Sequence, residues 1–382
     1  MPELLNAADY RAAARRRLPK GLFEYIDRGT EDETALRRLR NSLDAVTLHP
    51  RALAGGAPRT LRAAVMGQTQ TAPLVIAPTA LAGIVAHDGE IALARAAAGL
   101  GLPFCVSTQS VTTIESIRKG APGADLWFQL YVWKDRARST ELLRRVHDQG
   151  CDCLVLTVDT PAVPNREYNR RNRFSVPFQP GLRNLADVVK HPRWALSVLA
   201  RQVLRDGLPS YGHYPEGFRR NVLDTGEAGD LEIDNALSWA DLEHFRDLWP
   251  GRLVIKGVLS VEDSKRALSC GVDGIVVSSH GARNFDALPS PASVLRPIAD
   301  AVTGEATVMA DSGVMRGSDV LKYLALGAQA VLLGRLPLWG LAVNGESGAT
   351  SVLSMLMAEM ETGMGFLGAS VPGDLLNRAT SE

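Results

Sequence analysis

His280 is the residue of this sequence best placed to move a proton. Of the seven histidines, His49, His87, His147, His191, His213 and His244 sit in helical or loop contexts without other catalytic residue types nearby. His280 alone stands directly after an apolar, β-rich run and before Gly281-Ala282-Arg283. An imidazole titrates near neutrality, so one held at the end of a buried strand suits a general base. Asp159 closes another such run, where its carboxylate could orient the ring and stabilise the imidazolium. Arg283 follows the base by three residues and Arg166 lies within PAVPNRE. A guanidinium is a planar fork that grips a carboxylate at two points, so the pair suits a clamp for a substrate carboxylate, with Tyr131 and Tyr25 beside it. Either arginine is a plain surface charge if it does not reach the same mouth. No second His or Cys lies at ligand spacing from His280 and H-E-x-x-H is absent, which argues against a metal site.

Other polar residues stand at the ends of apolar runs: Thr79-Ala80, Ser107, Gln129, Thr157, Lys256, Ser278, Asp311-Ser312-Gly313 and Gly334-Arg335. Hydroxyls, an amide and a lysine converging on one mouth describe a site for a polar, planar ligand. Glycines let backbone N–H groups approach an anion, and Arg335 can fork two phosphate oxygens, so the last two turns read as a phosphate site. Lys256 ends a buried run, where an ammonium needs compensation. A barrel carboxylate would supply it, and so would the electron-rich edge of a flavin ring. A G-x-G-x-x-G fingerprint between a strand and a helix and a G-x-x-x-x-G-K-[ST] loop are both absent, which argues against a nicotinamide dinucleotide on a Rossmann unit.

The elements that must position these residues are eight short strands. They read Pro73–Pro78, Pro103–Ser107, Leu126–Tyr131, Cys153–Val158, Arg252–Lys256, Gly274–Ser278, Thr307–Asp311 and Ala330–Gly334. Their near-continuous apolar character is that of strands buried on both faces of a parallel sheet. Helical periodicity fills the intervals, as in Gly89–Ala98, Ser139–Gln149, Val261–Ser269 and Gly317–Leu326. The expected fold is a (β/α)₈ TIM barrel in one domain spanning 1–382. An N-terminal helical segment occupies 1–70, the barrel 71–159 and 251–345, and a helical tail 346–382. Residues 160–250 form a long insertion after strand 4. That insertion leaves the barrel from the end where such folds keep their chemistry, and covering the site or docking to a surface are its expected roles.

Lys+Arg and Asp+Glu both total 42, so no global field draws the chain to nucleic acid. Cys151 and Cys153 read as small buried thiols, and a chain without disulfide or zinc spacing fits a reducing cytoplasm. No apolar run is long enough to span a membrane.

The string Val277–Asp286, VSSHGARNFD, resembles the V-S-N-H-G-[GA]-R-x-x-D signature of the FMN-dependent 2-hydroxy-acid oxidases and dehydrogenases, which include glycolate oxidase, lactate oxidase, lactate dehydrogenase and mandelate dehydrogenase. The stretches LPKGLFEYIDRGTEDE (18–33), APTALAG (77–83), FQLYV (128–132), LTVDTP (156–161), IKGV (255–258), DSGVMRGSD (311–319) and LGR (333–335) look like further landmarks in the family's order. The resemblance implies FMN-dependent oxidation of an (S)-2-hydroxy acid, mandelate-like or lactate-like, to the 2-oxo acid. It makes His280 the base, Arg166 and Arg283 the carboxylate clamp, Tyr25 the N-terminal substrate tyrosine and Tyr131 the active-site tyrosine, catalytic with His280 and Asp159. Thr79, Ala80, Ser107, Gln129, Thr157, Lys256, Ser278, Asp311, Gly313, Gly334 and Arg335 look like the FMN contacts. The sequence departs from the pattern at Ser279, where Asn is usual, and at Asn284-Phe285, where Gln-Leu is more common. Met315 stands where Arg is frequent, leaving Arg316 and Arg335 to carry the charge and implying a weaker hold on FMN. DLWFQLYV, HPRW and RDLWP most resemble the mandelate dehydrogenase branch, whereas Ala80 looks like the oxidases. Oxygen and quinone are therefore both expected as candidate electron acceptors.

Rival readings are another FMN barrel, such as a type 2 isopentenyl diphosphate isomerase or an inosinate-dehydrogenase-like enzyme, and a silent barrel scaffold. The first has no use for the His280, Arg166 and Arg283 set, and the second would be expected to have lost one of them. Further copies of the chain are expected as partners. Within the insertion, 183–220 mixes Arg183, Lys190, Arg193, Arg201, Arg205, Arg219 and Arg220 with leucines, valines and Trp194, against only Asp187, Asp206 and Glu216. Arg193–Arg205 is predicted to be a basic, apolar-rich helix. It suits peripheral contact with an anionic membrane, as in the mandelate dehydrogenase branch, or packing against the barrel or a neighbouring subunit.

Overall fold

A computed structural model of the protein describes residues 3–54, 58–174, 181–215 and 232–381. Three helices come first: α1 (Ala7–Arg17), α2 (Lys20–Asp27) and α3 (Thr34–Ala45). Strand β1 (Val46–Leu48) follows, then a hairpin of β2 (Ala63–Val65) and β3 (Gln68–Gln70). Eight parallel strands then close into a barrel: β4 (Leu74–Ile76), β5 (Phe104–Ser107), β6 (Leu126–Leu130), β7 (Cys153–Thr157), β8 (Arg252–Val258), β9 (Gly274–Val277), β10 (Thr307–Ala310) and β11 (Ala330–Leu333). All eight expected runs are strands, and β11 pairs with β4 to complete the cylinder.

Two-sided burial explains the composition of these strands. Val75, Cys105, Trp127, Val155, Val254, Val276, Met309 and Leu332 fill the barrel interior. Their neighbours Leu74, Ile76, Phe104, Phe128, Leu154 and Ile275 join the larger core beneath the surrounding helices. All four cysteines are buried and unpaired.

The segment before the barrel is more ordered than the helices and irregular stretch expected of it. The β2–β3 hairpin turns through Met66 and Gly67, both with positive φ (50° and 76°). It inserts Val65 and Met66 into the inner cluster at the N-terminal end of the barrel. A Cβ on Gly274 would lie 2.8 Å from the Met66 sulfur, so that strand needs glycine to admit the plug. The tail is not purely helical either. Its long helix, Arg335–Leu367, breaks at Asn344 and Gly345, and the chain ends in β12 (Ala379–Ser381), antiparallel to β1. Gly363–Gly368 has the spacing G-x-G-x-x-G, but it lies at the end of this helix and follows no strand, so it is no nucleotide turn.

The insertion carries helices at Glu167–Asn172, Leu182–Lys190 and Trp239–Leu248. The predicted Arg193–Arg205 helix is found as one helical stretch, Pro192–Asp206, that widens into a π-helical turn over Ala195–Ala200. Trp194 and Val198 are buried, and the Trp194 indole N–H donates to the Ile84 carbonyl (2.8 Å), which pins the stretch to the barrel. Its other side presents Leu196 and Leu204 to solvent beside Leu182, Leu185 and Val189. Glu216, Arg219 and Arg220 lie outside the described residues.

Candidate active site

The C-terminal ends of the strands surround a cavity of about 380 Å³. Its lining includes Thr79, Ala80, Ser107, Gln129, Tyr131, Thr157, Lys256, His280, Asp311, Gly313, Gly334 and Arg335, together with Arg166, Arg283 and Tyr25. The N-terminal segment brings Tyr25 from α2 and Leu36 and Leu39 from α3 to the same wall.

His280 sits in a left-handed backbone conformation (φ 54°), as do Gly281 (64°) and Ala282 (58°). A non-glycine residue held there costs about 1–2 kcal/mol, so the surrounding structure must fix the turn. The imidazole Nδ1 lies 2.8 Å from Asp159 Oδ1. Burial pushes the Asp159 carboxyl up, but the adjacent imidazole and the Lys256 ammonium outweigh it and hold the group below its ordinary range. An ionised carboxylate only accepts, so Nδ1 carries the hydrogen and Nε2 presents its lone pair to the cavity. The Tyr131 hydroxyl lies 3.3 Å from Nε2, and burial raises its pKa, followed by the Asp159 charge, so the phenol stays protonated. Asp159 reaches the histidine only because residue 257 is glycine (φ 110°). A Cβ there would lie 2.5 Å from the Asp159 Cβ.

Lys256 is not the last residue of its strand as expected. β8 continues to Val258 through an irregularity at Gly257. The Lys256 ammonium is buried, 3.0 Å from Asp311 Oδ2 and 2.9 Å from Ser278 Oγ. Burial pulls its pKa down, yet the Asp311 and Asp159 charges more than offset this and keep it protonated. The barrel carboxylate weighed as its partner is thus present, and the ammonium still faces the cavity.

Arg166 and Arg283 stand together. Arg166 Nε donates to the Arg283 carbonyl (3.0 Å) and its terminal nitrogen to Asn284 Oδ1 (3.3 Å). Arg283 donates to the carbonyls of Tyr25 (2.5 Å) and Arg28 (3.2 Å) and lies over the Tyr25 ring, 5.0 Å from its centre. Arg335, partly buried, donates to the carbonyls of Ile26, Asp27, Arg28 and Gly281. Among the described residues none of the three has a carboxylate within salt-bridge reach. Burial followed by repulsion from Arg283 lowers the pKa of both Arg166 and Arg335, the latter to about 10.

These features fit FMN. Thr79 Oγ1, Gln129 Nε2 and Thr157 Oγ1 are buried polar atoms with no protein partner, and all three residues line the cavity. Ser107 Oγ donates to Gln129 Oε1 (3.1 Å), which fixes the amide with its N–H₂ group as the free end. A guanidinium without a carboxylate partner at Gly334-Arg335, lining the same cavity as Gly313, suits a phosphate. One expected member is absent: Arg316 pairs with Glu359 (2.7 Å) on the long C-terminal helix, half-exposed and outside the cavity lining. Met315 lines the cavity in its stead, and of the two arginines expected there Arg335 is the one that does.

Three residues take roles that sequence reasoning did not assign them. Asn284, noted only as a departure, joins the Asp159 carbonyl (2.6 Å) to Arg166. Ser312 bonds into the left-handed turn, as described below. Tyr211, from the insertion, packs its ring at a tilt against Tyr214 (5.2 Å), and its phenol pKa is raised by burial and then by Tyr25, Tyr214 and Tyr131. Nothing in the local sequence marks these residues, because their partners lie on other elements.

The chain belongs to the FMN-dependent dehydrogenase family, whose model matches residues 14–381. It is 41% identical to an L-lactate dehydrogenase of Xanthomonas campestris pv. campestris (strain B100), over 98% of this chain and 97% of that one. Among solved structures it is similar to that of a monotopic membrane protein, (S)-mandelate dehydrogenase (TM-score 0.91, 36% identity, full coverage of both chains). It also resembles a soluble mutant of the membrane-associated (S)-mandelate dehydrogenase from Pseudomonas putida (TM-score 0.83, 35% identity, full coverage of both). The family, barrel and cofactor expected from the motifs are borne out.

Proposed function

We propose that the whole chain acts as one catalytic unit that oxidises an (S)-2-hydroxy acid, mandelate-like or lactate-like, to the 2-oxo acid. The observation that carries this is the lone pair of His280 Nε2, backed by Asp159 and 3.3 Å from the Tyr131 hydroxyl, beside two half-buried guanidiniums with no carboxylate of their own. Arg166 and Arg283 hold the substrate carboxylate, and Tyr25 and Tyr131 complete the clamp. His280 Nε2 takes the hydroxyl proton, and Asp159 stabilises the imidazolium that results. Bound FMN supplies the two-electron acceptor for the α-carbon. Thr79, Ala80, Ser107, Gln129, Thr157, Ser278, Asp311, Gly313, Gly334 and Arg335 would hold it, and the Lys256 ammonium would set a positive charge beside it that favours its taking up electrons.

The natural acceptor is a membrane quinone, and the insertion lies on an anionic membrane. This is supported by Leu182, Leu185, Val189, Leu196 and Leu204, which are exposed among the exposed Arg183, Lys190, Arg193 and Arg201. No helix of the described residues is long and apolar enough to cross a membrane.

The test is anaerobic mixing of the yellow holoenzyme with (S)-mandelate or L-lactate while flavin absorbance is followed. Bleaching is expected. His280→Ala should bind FMN normally and reduce it at least about 10³-fold more slowly. Wild-type reduction in that variant would remove His280 from the mechanism.

A further inference from the structure

The turn that carries the base consists of three successive left-handed residues, two of which are not glycine. All three of its N–H groups are bonded. The His280 N–H donates to Ser278 Oγ (3.0 Å), the Ala282 N–H to the Ser279 carbonyl (2.9 Å), and the Gly281 N–H to Ser312 Oγ (3.0 Å). Arg335, after β11, and the Thr30 N–H also bond the turn's outer carbonyls at Gly281 (2.9 Å) and Ala282 (3.1 Å), but among the turn's own N–H groups only that of Gly281 reaches a side chain from a different strand end. Ser312 is itself left-handed (φ 79°), in a region that glycine occupies without cost and serine does not.

The Ser312 hydroxyl uses its full bonding capacity. It donates to Asp311 Oδ1 (2.7 Å), and it accepts from the Gly281 N–H and from the Ser279 hydroxyl (3.4 Å). The other Asp311 oxygen meets the Lys256 ammonium. The Tyr323 hydroxyl, 2.7 Å from the Ser312 carbonyl, fixes the backbone behind it. A serine kept at a strained position with every bond committed is placed there for its hydroxyl.

We infer that Ser312 is a positioning residue for the base: its hydroxyl fixes the left-handed turn at Gly281 and so sets where His280 Nε2 stands over the substrate. Ser279, at the other end of the contact, closes the same bridge. This rests on His280 being the base.

The test compares Ser312→Gly, His280→Ala and the double variant as FMN-loaded enzymes. Glycine relieves the backbone, so Ser312→Gly is expected to melt at or above the wild-type temperature and to keep its FMN affinity. Flavin reduction at saturating substrate should nonetheless slow about 10- to 100-fold, the scale of a misplaced catalytic group. In the His280→Ala background the same change should slow reduction no further, because the group it positions is gone. Ser312→Ala keeps the backbone strain and should lose the same rate while melting lower. Wild-type reduction in Ser312→Gly would overturn the inference. So would equal slowing with and without His280, which would place the effect on the cofactor and leave the base intact. Wild-type reduction by His280→Ala alone would remove the base and this inference with it.

Discussion

Arg166 and Arg283 sit side by side, half-buried, with only carbonyl and amide oxygens to satisfy them. Such an arrangement disfavours the folded protein on its own, since each charge is desolvated and repels the other. A substrate carboxylate between them would supply the missing counter-charge. Replacing either by methionine should weaken binding of the 2-hydroxy acid by about 1.5–3 kcal/mol, roughly 10- to 150-fold in substrate affinity. Arg166→Met should at the same time melt no lower than wild type, because a repulsion is removed with the charge. Substrate Kd and melting temperature check the two halves, and equal turnover of the acid and its ester would refute the clamp. At this scale the sequence was legible wherever a polar residue interrupts an apolar run, as at Gln129, Lys256 and His280. It was not legible where a side chain's direction depends on a distant partner. Arg316 adjoins Met315 in sequence, yet Glu359 draws it to the outer surface.

At the scale of elements, strands buried on both faces announce themselves as apolar runs, and for that reason all eight could be read. The β2–β3 hairpin could not, because three-residue strands such as Gln68–Gln70 carry no such run and gain their order from the barrel floor they plug. The seat of the insertion was equally hidden. His213 looked like an ordinary loop histidine, but it is wholly buried, edge-on to Phe128 (5.1 Å), with Nδ1 3.3 Å from the Thr108 carbonyl after β5. Burial pushes its pKa down from 6.5 to about 4. The folded state therefore resists a proton that the unfolded chain accepts, so stability present above pH 6.5 is lost as pH falls toward 4, by about 3 kcal/mol at most. His213→Phe should flatten this part of the acid dependence. The measurement is the unfolding free energy of both proteins between pH 7 and pH 4.5, and parallel curves would show that His213 is not the group responsible. Gly257→Ala tests the neighbouring element. A methyl group 2.5 Å from the Asp159 Cβ, in a backbone conformation with φ 110°, should cost both stability and flavin reduction. Wild-type reduction in that variant would mean that Asp159 need not be held where it is.

For the molecule as a whole, the balanced charge conceals a local asymmetry. The face of the insertion turned from the barrel carries Leu182, Leu185, Val189, Leu196 and Leu204 with Arg183, Lys190, Arg193 and Arg201, while Trp194 and Val198 anchor its inner side. One side of this amphipathic stretch packs on the barrel, and the other is exposed. An exposed apolar strip within a basic field is costly in water and favourable on an anionic bilayer, where each basic residue near the surface contributes about 1 kcal/mol. The enzyme should sediment with anionic vesicles at low salt, less at high salt, and weakly with neutral ones. Arg183→Glu/Arg201→Glu should lower the anionic binding by at least about 30-fold, from two lost attractions and two new repulsions. Leu196→Asp/Leu204→Asp should lower it at every salt concentration, because the buried apolar area is what that variant removes. Both double variants should reduce their flavin with substrate as fast as wild type, since neither alters a residue of the cavity, while electron transfer to quinone in membranes should fall with binding. Salt-insensitive or absent vesicle binding by the wild type, or charge-reversed protein that sediments as well as wild type, would leave the exposed leucines to a second copy of the chain, which a concentration-dependent molar mass would then reveal.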